Sequence, residues 1–266
     1  MYCNGSMPGN EKNNKLLKEA LPERRLEELI ANITTYIPHE LRTPLVSIMG
    51  FTQIITDEMD SLSKEDLIFM VRNIEKSSRR LHRTIEKFIN FADLECLSKN
   101  IKMRRELEDR NLHAHTKTIK ETVMNMAVRE GRNEDLLASL DDSELQIPED
   151  YLKLITKELF DNALKFSKKG SKLEVTGEKC PNSYQMEIKD YGTGITEEEI
   201  KQIEPFRQFD RKTLSQEGNG LGLPIVRRIT QIFGCGFTII SRKGSFTAIT
   251  IDFPYKKILN QYTTVL

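Results

Sequence analysis

A chain of 266 residues with 40 basic and 40 acidic side chains carries no formal net charge, which gives no reason to expect nucleic acid or an anionic membrane as partner. Charged residues reach 30% and apolar ones 38%, a balance that suits solvated helices beside the core of one large domain or two modest ones. No run of about 18 apolar residues exists and the polar start MYCNGSMPGNEKNNK lacks a signal core, so the expectation is a cytoplasmic chain without a membrane segment.

Cys3, Cys96, Cys180 and Cys235 lie far apart with no CxxC pair. That pattern predicts free thiols in a reducing compartment. His113 and His115 sit in a charged connector, and no metal site is expected there.

Residues 1–22 are rich in Asn, Lys and Gly and read as a flexible N-terminal segment. From Leu26 an apolar stripe runs through Ile30, Ile33, Ile37, Leu41, Leu45, Ile48, Ile55 and Met59 at helical spacing. Ser63-Lys-Glu-Asp66 has the form of a capping box that opens a second helix. The second stripe is Leu67, Met70, Ile74, Leu81, Ile85, Phe88 and Ala92. A short connection makes the two helices antiparallel neighbours. Two helices bury one seam, so a four-helix bundle in a homodimer is expected over residues 23–98.

Residues 99–116 are charged and read as a linker. Helical runs follow near 117–130, 149–167, 196–204 and 221–233. Strand-like runs fall at 136–140, 144–147, 172–178, 184–189, 237–242 and 246–253. Interleaved in this way they predict an α/β sandwich over residues 117–257, with helices on one face of a sheet and a tail at 258–266.

His39 falls roughly opposite the first stripe on a helical wheel, so it points at solvent. By itself that describes an ordinary surface histidine. Its neighbours suggest more. Imidazole is nucleophilic near neutral pH, and Glu40 is placed to take a proton from one ring nitrogen while the other attacks. Thr43, four residues on, shares the face of His39 and can orient a water. Pro44 should bend the helix just beyond.

Further on, Glu158 and Asn162 stand one turn apart on a helix that also carries Lys165 and Phe166. The Asn162 side-chain oxygen can hold Mg²⁺ alongside a triphosphate, and Lys165 offers a point charge to phosphate. Asp190-Tyr-Gly192-Thr-Gly194 joins a strand to a helix, with Asp190 placed to accept from an exocyclic amine such as that of adenine. Alone it fits a tight turn equally well. Gly218-Asn-Gly220-Leu221-Gly222-Leu223 opens a helix whose N–H groups attract phosphate. It is not a dinucleotide fingerprint, because the spacing is GxGxG and no acidic partner ends a second strand.

His39-Glu-Leu-Arg-Thr-Pro-Leu45 resembles the phosphoacceptor box of the sensor histidine kinases. The downstream strings resemble the Bergerat-type ATP-binding domain that those kinases share with type II topoisomerases, Hsp90-type chaperones and MutL-type repair proteins. The resemblance covers about residues 23–257. It implies an α+β chain, a helical hairpin followed by an α/β sandwich ATP-binding domain. It implies ATP and Mg²⁺, with Asn162 on the metal, Lys165 on phosphate and Asp190 on adenine. Gly192, Gly194, Gly218, Gly220 and Gly222 would shape the pocket and lid, Phe206 the start of the lid at 210–219, and Arg211 would reach the γ-phosphate. His39 would be the phosphoacceptor, Glu40 the acid/base, and Thr43 the residue tied to phosphatase action. The expected activity is a histidine autokinase that passes its phosphoryl group to an Asp of a response-regulator receiver domain.

Three residues depart from the pattern. Pro38 stands before the histidine where most members carry a small residue. Glu158 stands where histidine kinases often carry Asn and where the topoisomerase and chaperone branches use Glu to activate water. Ala248 replaces a common Thr, for which Thr247 or Thr250 can substitute. Glu158 therefore keeps a non-kinase ATPase open as an alternative. A non-catalytic dimer that binds a receiver is the other, disfavoured by the intact Asn162, Lys165, Asp190 and glycines.

Overall fold

The computed structural model describes residues 40–100, 102, 103, 107, 113–201 and 220–255. His39, Pro38, Phe206, Arg211, Gly218, the lid at 210–219, the segment 1–22 and the tail 258–266 lie outside the described residues. The chain divides into two compact units between Leu81 and His82.

In the first unit, helix α1 covers residues 40–58 and helix α2 begins at Lys64, running to Lys99. Ser63 caps α2 as its sequence suggests. Its Oγ accepts the Asp66 N–H at 3.1 Å and donates to the Asp66 carboxylate at 2.6 Å. The helices form an antiparallel hairpin. Glu40 meets Arg80 at 3.5 Å, Ser77 bonds Ser47 at 3.1 Å, and the rings of Phe51 and Phe69 pack edge to face at 6.1 Å. The hairpin leaves much apolar surface open. Val46, Met49, Met59, Phe69 and Val71 are each more than half exposed.

The second unit contains α3 (Lys117–Arg129), α4 (Glu149–Phe166), α5 (Glu197–Lys201) and α6 (Gly222–Phe233). Its strands are β1 (Ala114–His115), β2 (Leu136–Leu140), β3 (Glu144–Leu145), β4 (Leu173–Lys179), β5 (Ser183–Asp190), β6 (Gly236–Arg242) and β7 (Phe246–Pro254). The main sheet has the order β2-β4-β5-β7-β6, with β2 and β4 parallel and the other pairs antiparallel. Helix α4 packs between α3 and α6 and over β5. Burial alternates along β5, so Tyr184, Met186, Ile188 and Asp190 all point into the core. The last of these is a carboxylate where the period would put an aliphatic side chain.

Two features differ from the sequence reading. β1 falls in residues read as linker and pairs with β3 as a separate two-stranded sheet. Two-residue strands carry no periodicity to read. From His82 onward α2 also buries a second face, Thr84, Phe91, Leu94 and Leu97, within the second unit. Ile85, part of the expected stripe, is 41% exposed. Up to Leu81 the stripe belongs to the hairpin, and beyond it the packing demand of the second unit decides which face of α2 is buried.

Candidate nucleotide-binding and phosphoacceptor site

Three segments of the second unit converge. Helix α4 brings Glu158 and Asn162 to the start of α6. A side-chain carbon added at Gly222 would lie 2.9 Å from Glu158 Oε2 and within 3.7 Å of both Asn162 amide atoms. Glycine at 222 is thus what lets the two helices meet. Gly220, with φ +65°, turns the chain into α6, and Leu221 is buried at its start. Leu223 is half-buried on the first turn.

The end of α4 meets the loop after β5 in the same way. Thr193 N–H donates to the Phe166 carbonyl at 3.0 Å. A Cβ at Gly192 would come to 2.0 Å from that carbonyl oxygen, so no other residue fits without moving the backbone. Gly194 has φ +58° and lies against the Arg242 carbonyl. Asp190 Oδ1 accepts the Gly192 N–H at 3.0 Å. Burial pushes the Asp190 carboxyl up to about 6, against the opposing effects of that N–H and of the Arg132 charge. Phe166 is 44% exposed beside this loop.

The structure adds residues that the sequence did not single out. Lys87, from α2, lies 2.5 Å from Glu158 and 3.3 Å from Asp161. Glu158 is only 1% exposed, and among the described residues Lys87 is its partner. Burial pulls the Lys87 ammonium down, but the two carboxylates outweigh it and hold it above the ordinary lysine value. Lys165, expected on phosphate, pairs with Asp161 at 2.5 Å. Eight residues along α2 from Lys87, Glu95 accepts from Arg228 Nε of α6 at 2.6 Å. The 71-residue separation of Lys87 and Glu158 hid their pairing from the sequence.

The two candidates for the missing threonine are separated by register. Thr247 stands directly opposite Asp190 in the β5–β7 ladder, on the same side of the sheet. Thr250 stands opposite Glu187 and bonds its carboxylate at 3.3 Å. In the first unit, Glu40 has a side chain 12% exposed and faces Arg80, and Thr43 is exposed on the first turns of α1.

The donor set fits a magnesium nucleotide. Asn162 offers a neutral oxygen, the glycine at 222 leaves a space at the start of a helix, and Asp190 is a desolvated acceptor on the loop that meets the end of α4. A mixed sheet backed by helices, with these groups on α4, after β5 and before α6, defines an ATP-binding domain of the kinase, gyrase and chaperone class.

Family models agree. Residues 147–257 match the histidine kinase-, DNA gyrase B- and HSP90-like ATPase family. Residues 24–97 match the His Kinase A phosphoacceptor domain. The chain carries both domains of a histidine kinase core, one after the other. It is 27% identical over 239 residues to the cell-division control histidine kinase PdhS of Brucella anthropi, an overlap of 84% of this chain and 22% of that protein. It is 26% identical over 260 residues to the sensor protein SrrB of Staphylococcus aureus, 90% of this chain and 40% of that protein. The chain therefore spans well under half the length of these relatives. The histidine kinase ThkA, solved in complex with response regulator protein TrrA, shares the fold with a TM-score of 0.62 at 18% identity, over 91% of this chain and 67% of that one. Among the described residues no helix is long and apolar enough to cross a membrane.

Proposed function

We propose that this chain is the catalytic core of a two-component system, an ATP-dependent autokinase that phosphorylates His39 and passes the phosphoryl group to an Asp of a response-regulator receiver domain. The observation that carries the reading is the meeting of α4 and α6 at Gly222, which gathers Asn162 and Glu158 at a glycine-rich helix start. The relative solved with a response regulator supports the choice of partner.

In this reading one His39 ring nitrogen attacks the γ-phosphorus of ATP, the bond to the ADP oxygen breaks, and Glu40 accepts the proton of the other nitrogen. Arg80 holds the Glu40 carboxylate in place. Asp190 accepts from the adenine amino group, with Thr247 beside it. Asn162 holds Mg²⁺, which would neutralise charge on the phosphates. Lys165 exchanges between Asp161 and phosphate. Arg211, Phe206 and Gly218 act from the lid. Thr43 orients water when the protein acts as phosphatase of its regulator. The exposed apolar side chains of the hairpin, Val46, Met49 and Phe69 among them, support burial in a homodimer. Free Cys96, Cys180 and Cys235 support a cytoplasmic location.

The Lys87–Glu158 ion pair argues against the alternative of a water-activating ATPase, because it occupies the carboxylate such a reaction needs free. The test is an ATP titration with and without Mg²⁺. Wild type should bind ATP more tightly with the metal, and Asn162→Ala should lose that gain. Equal metal dependence in both would remove Asn162 from the metal.

A further inference from the structure

We propose that Arg132, which lies outside all four motifs, is a positioning residue of the nucleotide site: it locks the C-terminal end of α4 onto the loop that carries Asp190. The inference rests on the reading of Asp190 as the adenine acceptor.

A helix leaves its last four carbonyls without partners. For α4 these belong to residues 163–166. Ser167 Oγ donates to the Ala163 carbonyl at 2.5 Å, Arg132 Nη1 to the Leu164 carbonyl at 3.4 Å, and Thr193 N–H to the Phe166 carbonyl at 3.0 Å. Arg132 also donates through Nη1 to Ser167 Oγ at 2.9 Å and O at 3.2 Å, and through Nη2 to Ser171 O at 2.9 Å. Its Nε donates to Asp135 at 2.6 Å, and Asp135 accepts the Gly170 N–H at 3.0 Å. The guanidinium is 5% exposed. One planar, always-charged group thus caps the helix, fixes the turn behind it and sets the height of the Phe166 carbonyl.

That carbonyl is the contact on which the loop rests. Thr193 bonds it, and Gly192 approaches it too closely for any side chain. Gly192 N–H in turn holds Asp190 Oδ1. Through this chain the rotamer of Asp190 depends on where Arg132 holds α4. Arg132 also acts on Asp190 through space. It is the charge that bears on that carboxyl among the described residues. The ladder neighbours Leu173 and Thr247, and Phe166 of α4, are uncharged. With the Arg132 charge gone, the carboxyl takes up its proton at higher pH and over a wider range offers an amine only the weaker, neutral acceptor. Lysine keeps the charge and loses the fork.

The experiment is calorimetric titration of the full chain with ATP and Mg²⁺ from about pH 5.5 to about pH 8.5, for wild type, Arg132→Met, Arg132→Lys and Asp190→Asn. Wild-type affinity should fall as pH drops through about 6, and Asp190→Asn should abolish binding. Arg132→Met should weaken binding at high pH by about tenfold and move the acid midpoint up by roughly half a pH unit or more. Arg132→Lys should weaken binding while keeping the wild-type midpoint. A purely structural arginine would lower the melting temperature and leave the midpoint where it was, and that result overturns the proposal. If Arg132→Met does not fold, amide hydrogen exchange of Arg132→Lys decides. Thr193 and Gly192 should exchange faster than in wild type while β4 and β5 are unchanged, and unchanged exchange at Thr193 and Gly192 overturns it. Absence of ATP binding by the wild type at every pH would instead refute the nucleotide reading itself, and the proposal with it.

Discussion

The ammonium group of Lys87 sits 2.5 Å from the carboxylate of Glu158, a residue 1% exposed on the helix that carries Asn162. The two partners are not equally dependent on each other. Lys87 also has Asp161 at 3.3 Å, and Asp161 has Lys165, whereas Glu158 has Lys87 among the described residues. Removing the lysine leaves a buried carboxylate uncompensated, which costs about 3 kcal/mol. Removing the glutamate charge leaves the lysine paired. Lys87→Met should therefore lower urea stability clearly more than Glu158→Gln does, and the double variant should recover most of the loss. Equal losses in the two single variants would show that the pair is not the buried contact described here.

Asp190 trades stability for binding. Its carboxyl is raised from 3.8 to about 6 in the folded chain, so the fold binds its proton more tightly than the unfolded chain does. The stability this contributes is fully present below the unfolded value and is lost as pH rises through the folded one. At neutral pH the buried carboxylate is a cost of roughly 3 kcal/mol. Asp190→Asn should raise the melting temperature of the nucleotide-free protein near pH 7.5 by about 5 °C, with little change near pH 4. The same variant should no longer bind ATP. A lower melting temperature near neutral pH would contradict the assignment of burial as the main cause.

The glycines differ in what surrounds them. At Gly192 a methyl group meets backbone at 2.0 Å, while at Gly222 it meets the Glu158 carboxylate at 2.9 Å. Gly192→Ala must move the α4 end or the loop, and should reduce ATP affinity by about a hundredfold or abolish it. Gly222→Ala displaces one side-chain oxygen and strains the Lys87 pair, so its loss should be smaller. Nucleotide titration of the two variants checks the order.

Glu40 is held by Arg80 at 3.5 Å within the hairpin, with no part in the nucleotide site proposed here. Glu40→Gln should slow autophosphorylation by about a hundredfold and leave ATP affinity unchanged. Arg80→Ala should slow it less, through loss of orientation. A matching loss of ATP affinity in Glu40→Gln would place its effect in folding.

Much of this arrangement is readable in the chain because it is local. The Ser63 cap, the strand ending at Asp190 and the glycines that open α6 are set by neighbours a few residues away. The burial of Asp190 on the core face, where its pKa is moved, came from the structure, because the strand-like run was read as ending one residue earlier. Lys87 and Arg132 were not legible for the opposite reason. A lysine on an amphipathic helix and an arginine in a turn look solvated, and their partners lie 71 and up to 39 residues away. The buried face of α2 beyond His82 was hidden because Phe91 lies within the span of a stripe already assigned to the hairpin, and Leu94 and Leu97 follow its end.

The most direct test of the autokinase reading is incorporation of phosphate from γ-labelled ATP with Mg²⁺ into the wild type, His39→Gln and Asn162→Ala. An acid-labile, alkali-stable label is expected on the wild type and on neither variant. A label that persists in His39→Gln, or ATP turnover there at the wild-type rate with no label on either protein, would contradict that reading.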